Sequence, residues 1–155
     1  MTFLMLGKVE VRDTGGTTVS IPRLKHRQLL ATLLLRANTP VSNHQLMEAL
    51  WNDNPPPSAE RNLKTYVHTL RKLLCPDDRR SAPMETQADG YLIAPDPEDL
   101  DLLTFRDRVR RGRRASWDGD LGTAHHHFEQ ALDLWRGEAL LDARGSAARG
   151  GVMIP

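Results

Sequence analysis

The chain is poor in sulfur, in aromatic rings and in long apolar runs. A single cysteine, Cys75, stands among 155 residues, so no internal disulfide can form. That fits a reducing compartment. No histidine or aspartate is evident as a catalytic partner for Cys75, so it reads as an incidental or structural thiol rather than a nucleophile. Aromatic residues make up 5% of the chain, and Trp51, Trp117 and Trp135 read as core or interdomain packing rather than as stacking platforms. No run approaches the ~20 apolar residues of a membrane span. The opening MTFLMLGKVEVRD is apolar but short and lacks the three-part pattern of a signal peptide. A soluble, cytoplasmic protein is expected. Phosphate-binding glycine loops, nucleotide fingerprints and nucleophile motifs are missing, and no carboxylate pair has a spacing suited to acid–base work. The chain therefore does not read as an enzyme, and no cofactor is expected.

Metal binding is disfavoured too. His125, His126 and His127 are consecutive, and neighbours on a helix point about 100° apart, so they cannot converge on one ion. Asp96, Glu98, Asp99 and Asp101 lack the spacing and the glycine of an EF-hand loop and read as an acidic linker.

Charge is abundant but unevenly placed. Residues 1–75 hold ten Lys/Arg against five Asp/Glu, a balance of +5, whereas residues 76–155 hold eleven against fifteen, a balance of −4. A basic first half and an acidic second half point to a nucleic-acid module followed by a region with another task.

The most informative stretch is SAERNLKTYVHTLRKLL, Ser58 to Leu74. Leu63, Val67, Leu70 and Leu74 recur at i, i+4, i+7 and i+11 and make one apolar stripe. Arg61, Lys64, Thr65, His68, Arg71 and Lys72 lie on the other side. One face can sit on a core while the other offers cations and donors to a polyanion. That is the shape of a helix that enters the major groove of B-DNA; a solvated helix face is the alternative.

The surrounding segments favour the first reading. Phe3 to Arg12 reads as a strand, Asp13–Gly16 as a turn, and Thr17 to Ile21 as a returning strand. Pro22 opens a helix running to about Ala37, with Leu29, Leu30, Leu33, Leu34 and Ala37 on one broad face. Arg23, Lys25 and Arg27 cluster in its first turns, either for phosphate contact or as solvated charge. Ser42 and Gln45 form a capping box for a helix ending at Trp51, with Val41 and Leu46 as its hydrophobic staple. Asn52 to Pro57 makes a stiff loop, and Ser58 caps the third helix. Residues 76–83 are polar and turn-rich. Met84 to Thr86 and Tyr91 to Ile93 then read as a hairpin around Asp89-Gly90. Strands, three helices and a hairpin make a helix-turn-helix with a wing.

Residues 95–100 form an acidic, proline-containing linker. Beyond it, a helix from about Asp101 to Trp117 carries Leu102, Phe105 and Val109, and Gly112 allows close approach of a partner helix. A second helix from about Asp120 to Arg136 carries Leu121, Ala124, Phe128, Ala131 and Trp135, with Asp120 as its cap and Gly137 as its stop. This pair reads as one unit of a helical-hairpin array, which cannot bury its own face. It must pack on the N-terminal domain, pair with another chain, or stay loose. Arg106, Arg108, Arg110, Arg111, Arg113 and Arg114 read as distributed around the first of these helices and mostly solvated. The domains expected are 1–94, a linker at 95–100, a helical hairpin at 101–142 and a disordered tail at 143–155.

LGKVEVRD, then PRLKHRQLLATLLLRANTPVSNHQLMEALWNDNPPPSAERNLKTYVHTLRKLL, then ADGYLI resemble the streptomycete antibiotic regulatory proteins, the SARP family. DPEDLDLLTFRDRVRRGRRASWDGDLGTAHHHFEQALDLWRGEALL is similar to the start of that family's bacterial transcriptional activator domain, which is built from tetratricopeptide-like helices. The resemblance spans about Phe3 to Leu141. It implies an α+β fold: an OmpR-type winged helix-turn-helix with small antiparallel sheets, followed by a short all-α hairpin. It also implies a cytoplasmic DNA-binding activator of secondary-metabolite genes such as those of antibiotic biosynthesis. Such a protein binds direct repeats near promoters as a dimer and contacts RNA polymerase. Carried onto this chain, the family's DNA contacts fall on Arg61, Lys64, Thr65, His68, Thr69 and Arg71. The first half of the helix would read base edges, with Arg71 and Lys72 holding phosphates.

Two departures stand out. Gln87 occupies a wing position where related chains place an arginine, which weakens any minor-groove contact there. The helical pattern stops near Leu141, as a truncated, frameshifted or naturally short regulator would. The alternative reading is a truncated interaction module that pairs with a full-length regulator without activating. No phosphorylation input is evident.

Overall fold

The structure, a computed structural model, describes residues 1–75 and 83–140. The turn-rich segment 76–82 and the tail expected at 143–155 lie outside the described residues.

Strands β1 (Thr2–Leu4), β2 (Glu10–Arg12) and β3 (Thr18–Val19) form an antiparallel sheet in that order, with Phe3 opposite Val11 and Val11 opposite Val19. The single strand expected over Phe3–Arg12 is therefore two strands. The break has a chemical cause: the buried carboxylate of Asp101 accepts the backbone N–H groups of Met5 (2.8 Å) and Leu6 (3.0 Å). Those donors are spent on a distant side chain and cannot join a ladder. The turn at Asp13 is as expected, its carboxylate accepting from the N–H of Gly15 and Thr17, both at 2.9 Å.

Helix α1 (Leu24–Leu35) buries Leu29, Leu30, Leu33 and Leu34. It is shorter at both ends than the expected Pro22–Ala37 span. At its far end Asn38 adopts a left-handed φ of 65° and donates its N–H to the carbonyl of Ile93, which turns the chain into the next strand. That strand, β4 (Val41–Ser42), was not legible in the capping-box pattern. Helix α2 (Asn43–Trp51) follows with the capping box intact: Gln45 N–H donates to Ser42 Oγ (3.1 Å), and Ser42 N–H donates to Gln45 Oε1 (3.0 Å). Helix α3 (Ala59–Leu74) buries Leu63, Val67, Leu70 and Leu74 on α1 and α2. Fully burying side chains of this size stabilises by roughly 1.5–3 kcal/mol each.

Strands β5 (Met84–Gln87) and β6 (Gly90–Ile93) form the hairpin, and β4 adds to it in the order β4-β6-β5. The turn residues are Ala88 and Asp89, not the expected Asp89-Gly90. Gly90 lies within β6, and a Cβ there would stand 1.9 Å from the Val41 carbonyl oxygen. Its glycine serves close approach of two backbones rather than a left-handed turn.

A short 3-10 turn over Pro97–Asp99 leads to Leu100, which is fully buried and bridges to Phe3. Helices α4 (Asp101–Trp117) and α5 (Leu121–Asp133) then pack as an antiparallel pair. Gly112 performs the role its register predicts: a Cβ there would lie 2.5 Å from the Phe128 ring. Helix α5 stops before the expected Arg136 because the backbone is taken elsewhere. Arg136 N–H donates to the carbonyl of Leu6 (2.8 Å), and Leu140 N–H donates to that of Gly7 (2.9 Å). The hairpin thus packs on the N-terminal sheet, and one core runs from Phe3, Leu30 and Leu70 through to Leu102, Phe105 and Ala131.

Two packing expectations fail. Trp117 is 91% exposed at the end of α4, and Leu121, placed on the inner stripe of α5, is 69% exposed. Both flank the tight α4–α5 turn, where neither helix has a neighbouring turn to bury them.

Candidate nucleic-acid interface

Helix α3 presents the polar face its spacing predicts. Arg61, Lys64, Thr65, His68 and Lys72 are exposed, whereas Thr69 and Arg71 are half-buried. Thr65 donates its hydroxyl to the carbonyl of Arg61 (3.1 Å) within the helix, so its oxygen is left as an acceptor. Ser58 sits at the N-cap, but its side chain does not cap the backbone. Its Oγ instead accepts from Asn62 Nδ2 at 3.1 Å. The expected cap is thus a side-chain pair, because Ser58 has a ψ of 9° rather than the extended backbone that a capping hydroxyl needs.

Tyr66, Trp51 and His26, none of them singled out as functional, pack together with the candidate contact Lys25 where α1, α2 and α3 meet. Tyr66 stacks on Trp51 of α2 with ring centres 6.0 Å apart and meets the edge of His26 of α1 at 5.2 Å. Lys25 lies 5.6 Å over the Trp51 ring and donates to the Leu50 carbonyl, one of the unpaired acceptors at the end of α2. Burial pushes the pKa of Lys25 down, and that of His26 too, with the charge of Arg23 adding to the latter. A signal for this cluster exists in the sequence: His26 shares a helical face with Leu29, Leu30 and Leu33, and Tyr66 lies three residues after Leu63.

The cations at the start of α1 divide. Arg23 is exposed. Lys25 is engaged as described, and Arg27 donates to the carbonyls of Ile21 (2.9 Å) and Pro22 (2.8 Å), fastening the loop before the helix. Arg71 likewise has intramolecular partners, donating to the Met84 carbonyl (3.3 Å) and Thr86 Oγ1 (2.8 Å). Its guanidinium also lies 5.8 Å over the Tyr91 ring.

The wing carries no cation. Glu85 and Asp89 are both exposed, and Gln87 closes the strand pair opposite Gly90. On α4, Arg110 and Arg111 both pair with Asp107, and Arg108 is half-buried. His125 pairs with Glu129 at 3.1 Å, and among the described residues no cluster of His, Cys, Asp or Glu is arranged for a metal ion. Among those residues no helix is long and apolar enough to cross a membrane.

Comparison with known proteins agrees with this geometry. Residues 19–93 match the family described as transcriptional regulatory protein, C terminal, and residues 100–152 match the bacterial transcriptional activator domain. The second match continues past Leu141, where the resemblance reads as ending. The chain is similar to the regulatory protein DnrI of Streptomyces peucetius, 36% identical over 148 residues that cover 92% of this chain and 54% of that protein. It is similar also to the regulatory protein AfsR of Streptomyces coelicolor, 34% identical over 151 residues, 96% of this chain and 14% of that one. Among solved structures it resembles Mycobacterium tuberculosis EmbR in complex with a low-affinity phosphopeptide. That likeness has a TM-score of 0.80 and 31% identity, and covers 96% of this chain and 38% of the other. The chain spans about half the length of DnrI and a smaller share of the other two. These relatives are regulators rather than enzymes.

Proposed function

Because the chain belongs to the SARP family of transcriptional regulators, we propose that it binds double-stranded DNA with α3 in the major groove. One observation carries this reading: the leucine face of α3 is buried in the core while Lys64 and His68 stand in open solvent. A helix so mounted can enter a groove without moving any other element.

Arg61, Lys64 and Thr65 on the first half of α3, and His68 one turn after Lys64, are the base-reading candidates, with Thr69 beside them. Lys72 and Arg23 are the phosphate-holding candidates. Affinity then comes largely from cation–phosphate contacts and falls with salt. Specificity comes from a few side chains, each good bidentate contact contributing roughly 1–3 kcal/mol. Activation of secondary-metabolite genes, binding to direct repeats near promoters as a homodimer, and contact with RNA polymerase form the finer part of the proposal. Family membership supports that finer part. The exposed Trp117, Leu121 and Leu132 of the helical hairpin support a protein-contacting role for it.

The test is a titration of promoter-derived and random duplexes across a range of salt. Lys72→Ala is expected to weaken binding to all duplexes alike and to flatten the slope of log K against log salt by about one. Arg61→Ala and Lys64→Ala are expected to narrow the gap between promoter and random sequence. If the unaltered chain shifted neither kind of duplex, or if none of the three changes moved slope or preference, the assignment of α3 to a groove would be wrong.

A further inference from the structure

We propose that Arg71 is a positioning residue that fixes the wing against α3, rather than a phosphate anchor; this rests on the DNA-binding reading above. In the sheet order β4-β6-β5, the hairpin is fastened to the body on one side only. There β6 pairs with β4, Tyr91 opposite Val41 and Gly90 opposite Ser42. Among the described residues the outer strand, β5, has no sheet neighbour beyond β6.

Arg71 reaches this strand from the last turns of α3. Its Nη2 donates to the Met84 carbonyl and to Thr86 Oγ1, which uses both hydrogens of that nitrogen, and the guanidinium carbon lies 5.8 Å over the Tyr91 ring. One side chain therefore grips both strands of the hairpin. A guanidinium suits this task better than an ammonium, because its rigid N–H groups hold a fixed direction and its planar face can lie on a ring. Met84 and Tyr91 are themselves buried, so the grip is on the rooted part of the wing and not on its tip.

The charges give the grip its purpose. The hairpin over residues 84–93 carries Glu85 and Asp89 and no lysine or arginine. Such a wing is not drawn to a phosphate backbone by its own field. Its place beside a bound duplex has to be imposed mechanically, by β4 on the inner side and by Arg71 on the outer.

The experiment compares Arg71→Lys, Arg71→Ala and Thr86→Val with the unaltered protein by two readouts. Thr86→Val removes one acceptor, keeps every charge and suits a strand, so it keeps the test informative if Arg71→Ala unfolds. The first readout is amide hydrogen exchange without DNA. The β5 amides should exchange about tenfold faster in all three variants, the weight of one intramolecular hydrogen bond, while those of α3 and of the β4–β6 pairing keep their rates. The second is the hydroxyl-radical footprint on a bound duplex together with the salt slope. Protection beside the wing should fall in all three, with slopes for Arg71→Lys and Thr86→Val equal to the original. Unchanged β5 exchange in all three variants would overturn the proposal. So would Arg71→Ala flattening the slope by about one with the wing footprint intact. A chain that bound no duplex would fail the DNA reading alone, because exchange still judges the grip.

Discussion

His26 shows how a single side chain ties sequence to solution behaviour. It is buried between α1 and α3, its edge against Tyr66, and its Nδ1 has no hydrogen-bond partner among the described residues. Burial first, and the charge of Arg23 second, push its pKa below the usual histidine value. The folded protein therefore holds the neutral ring, while the unfolded chain takes up a proton as the pH falls past about 6.5. The sign follows: the contribution to stability is full above that pH and is lost as the pH drops toward the lowered folded value. Denaturant midpoints at pH 8 and near pH 5.5 should differ more for the wild type than for His26→Phe, which keeps a ring against Tyr66 but cannot titrate. Equal pH dependence in the two proteins would mean that the ring is not held neutral by the fold.

At the scale of elements, the α4–α5 pair depends on one missing side chain. Gly112 lets the Phe128 ring lie against the backbone of α4 at a distance no Cβ would permit. Gly112→Ala should improve helix propensity by about 1 kcal/mol yet force the ring aside, at a cost of about 1–3 kcal/mol for overpacking. The net expectation is a lower melting temperature, and pairing the change with Phe128→Leu should recover part of the loss. A melting temperature that rose with the alanine would show that the two helices part easily. Sequence spacing foresaw this contact because helical register alone puts Gly112 on the line of Leu102, Phe105 and Val109. The same reasoning misplaced Leu121 and Trp117. Period identifies a face but cannot say where along the helix the partner ends.

The whole molecule is joined where the sequence reads as most divisible. The segment at 95–100 has the composition of a spacer, yet Leu100 is in the core and Asp101 is buried against β1. Arg136 completes the join from the segment after α5, its side chain donating to the Lys8 carbonyl (2.8 Å) and pairing with Glu10 (3.3 Å). Burial raises the pKa of Asp101, while the N–H groups of Leu6 and Met5 pull the other way. Removing the carboxylate strands two buried donors, each costing roughly 1–3 kcal/mol. Asp101→Ala should therefore lower the unfolding free energy by a few kcal/mol, Asp101→Asn by less, because it retains one acceptor. In both variants the first amides to lose exchange protection should be Met5, Leu6, Arg136 and Leu140, with α3 unaffected. Loss confined to Met5 and Leu6 would mean that the hairpin is held by its apolar contacts alone.

The sequence by itself determined which faces are apolar, where α2 begins, that α3 has one buried and one charged side, and that Gly112 meets a helix. All of these follow from the fixed geometry of a single element, in which spacing translates directly into direction. Tertiary structure alone decided that Phe3–Arg12 is two strands, that Val41 pairs with the wing, and that Arg27 and Arg71 spend their donors within the fold. Asp101 reaching Met5 across 96 residues belongs to the same class. Each depends on which groups distant in the chain are brought within hydrogen-bond reach. That proximity is a property of packing, and no local pattern encodes it.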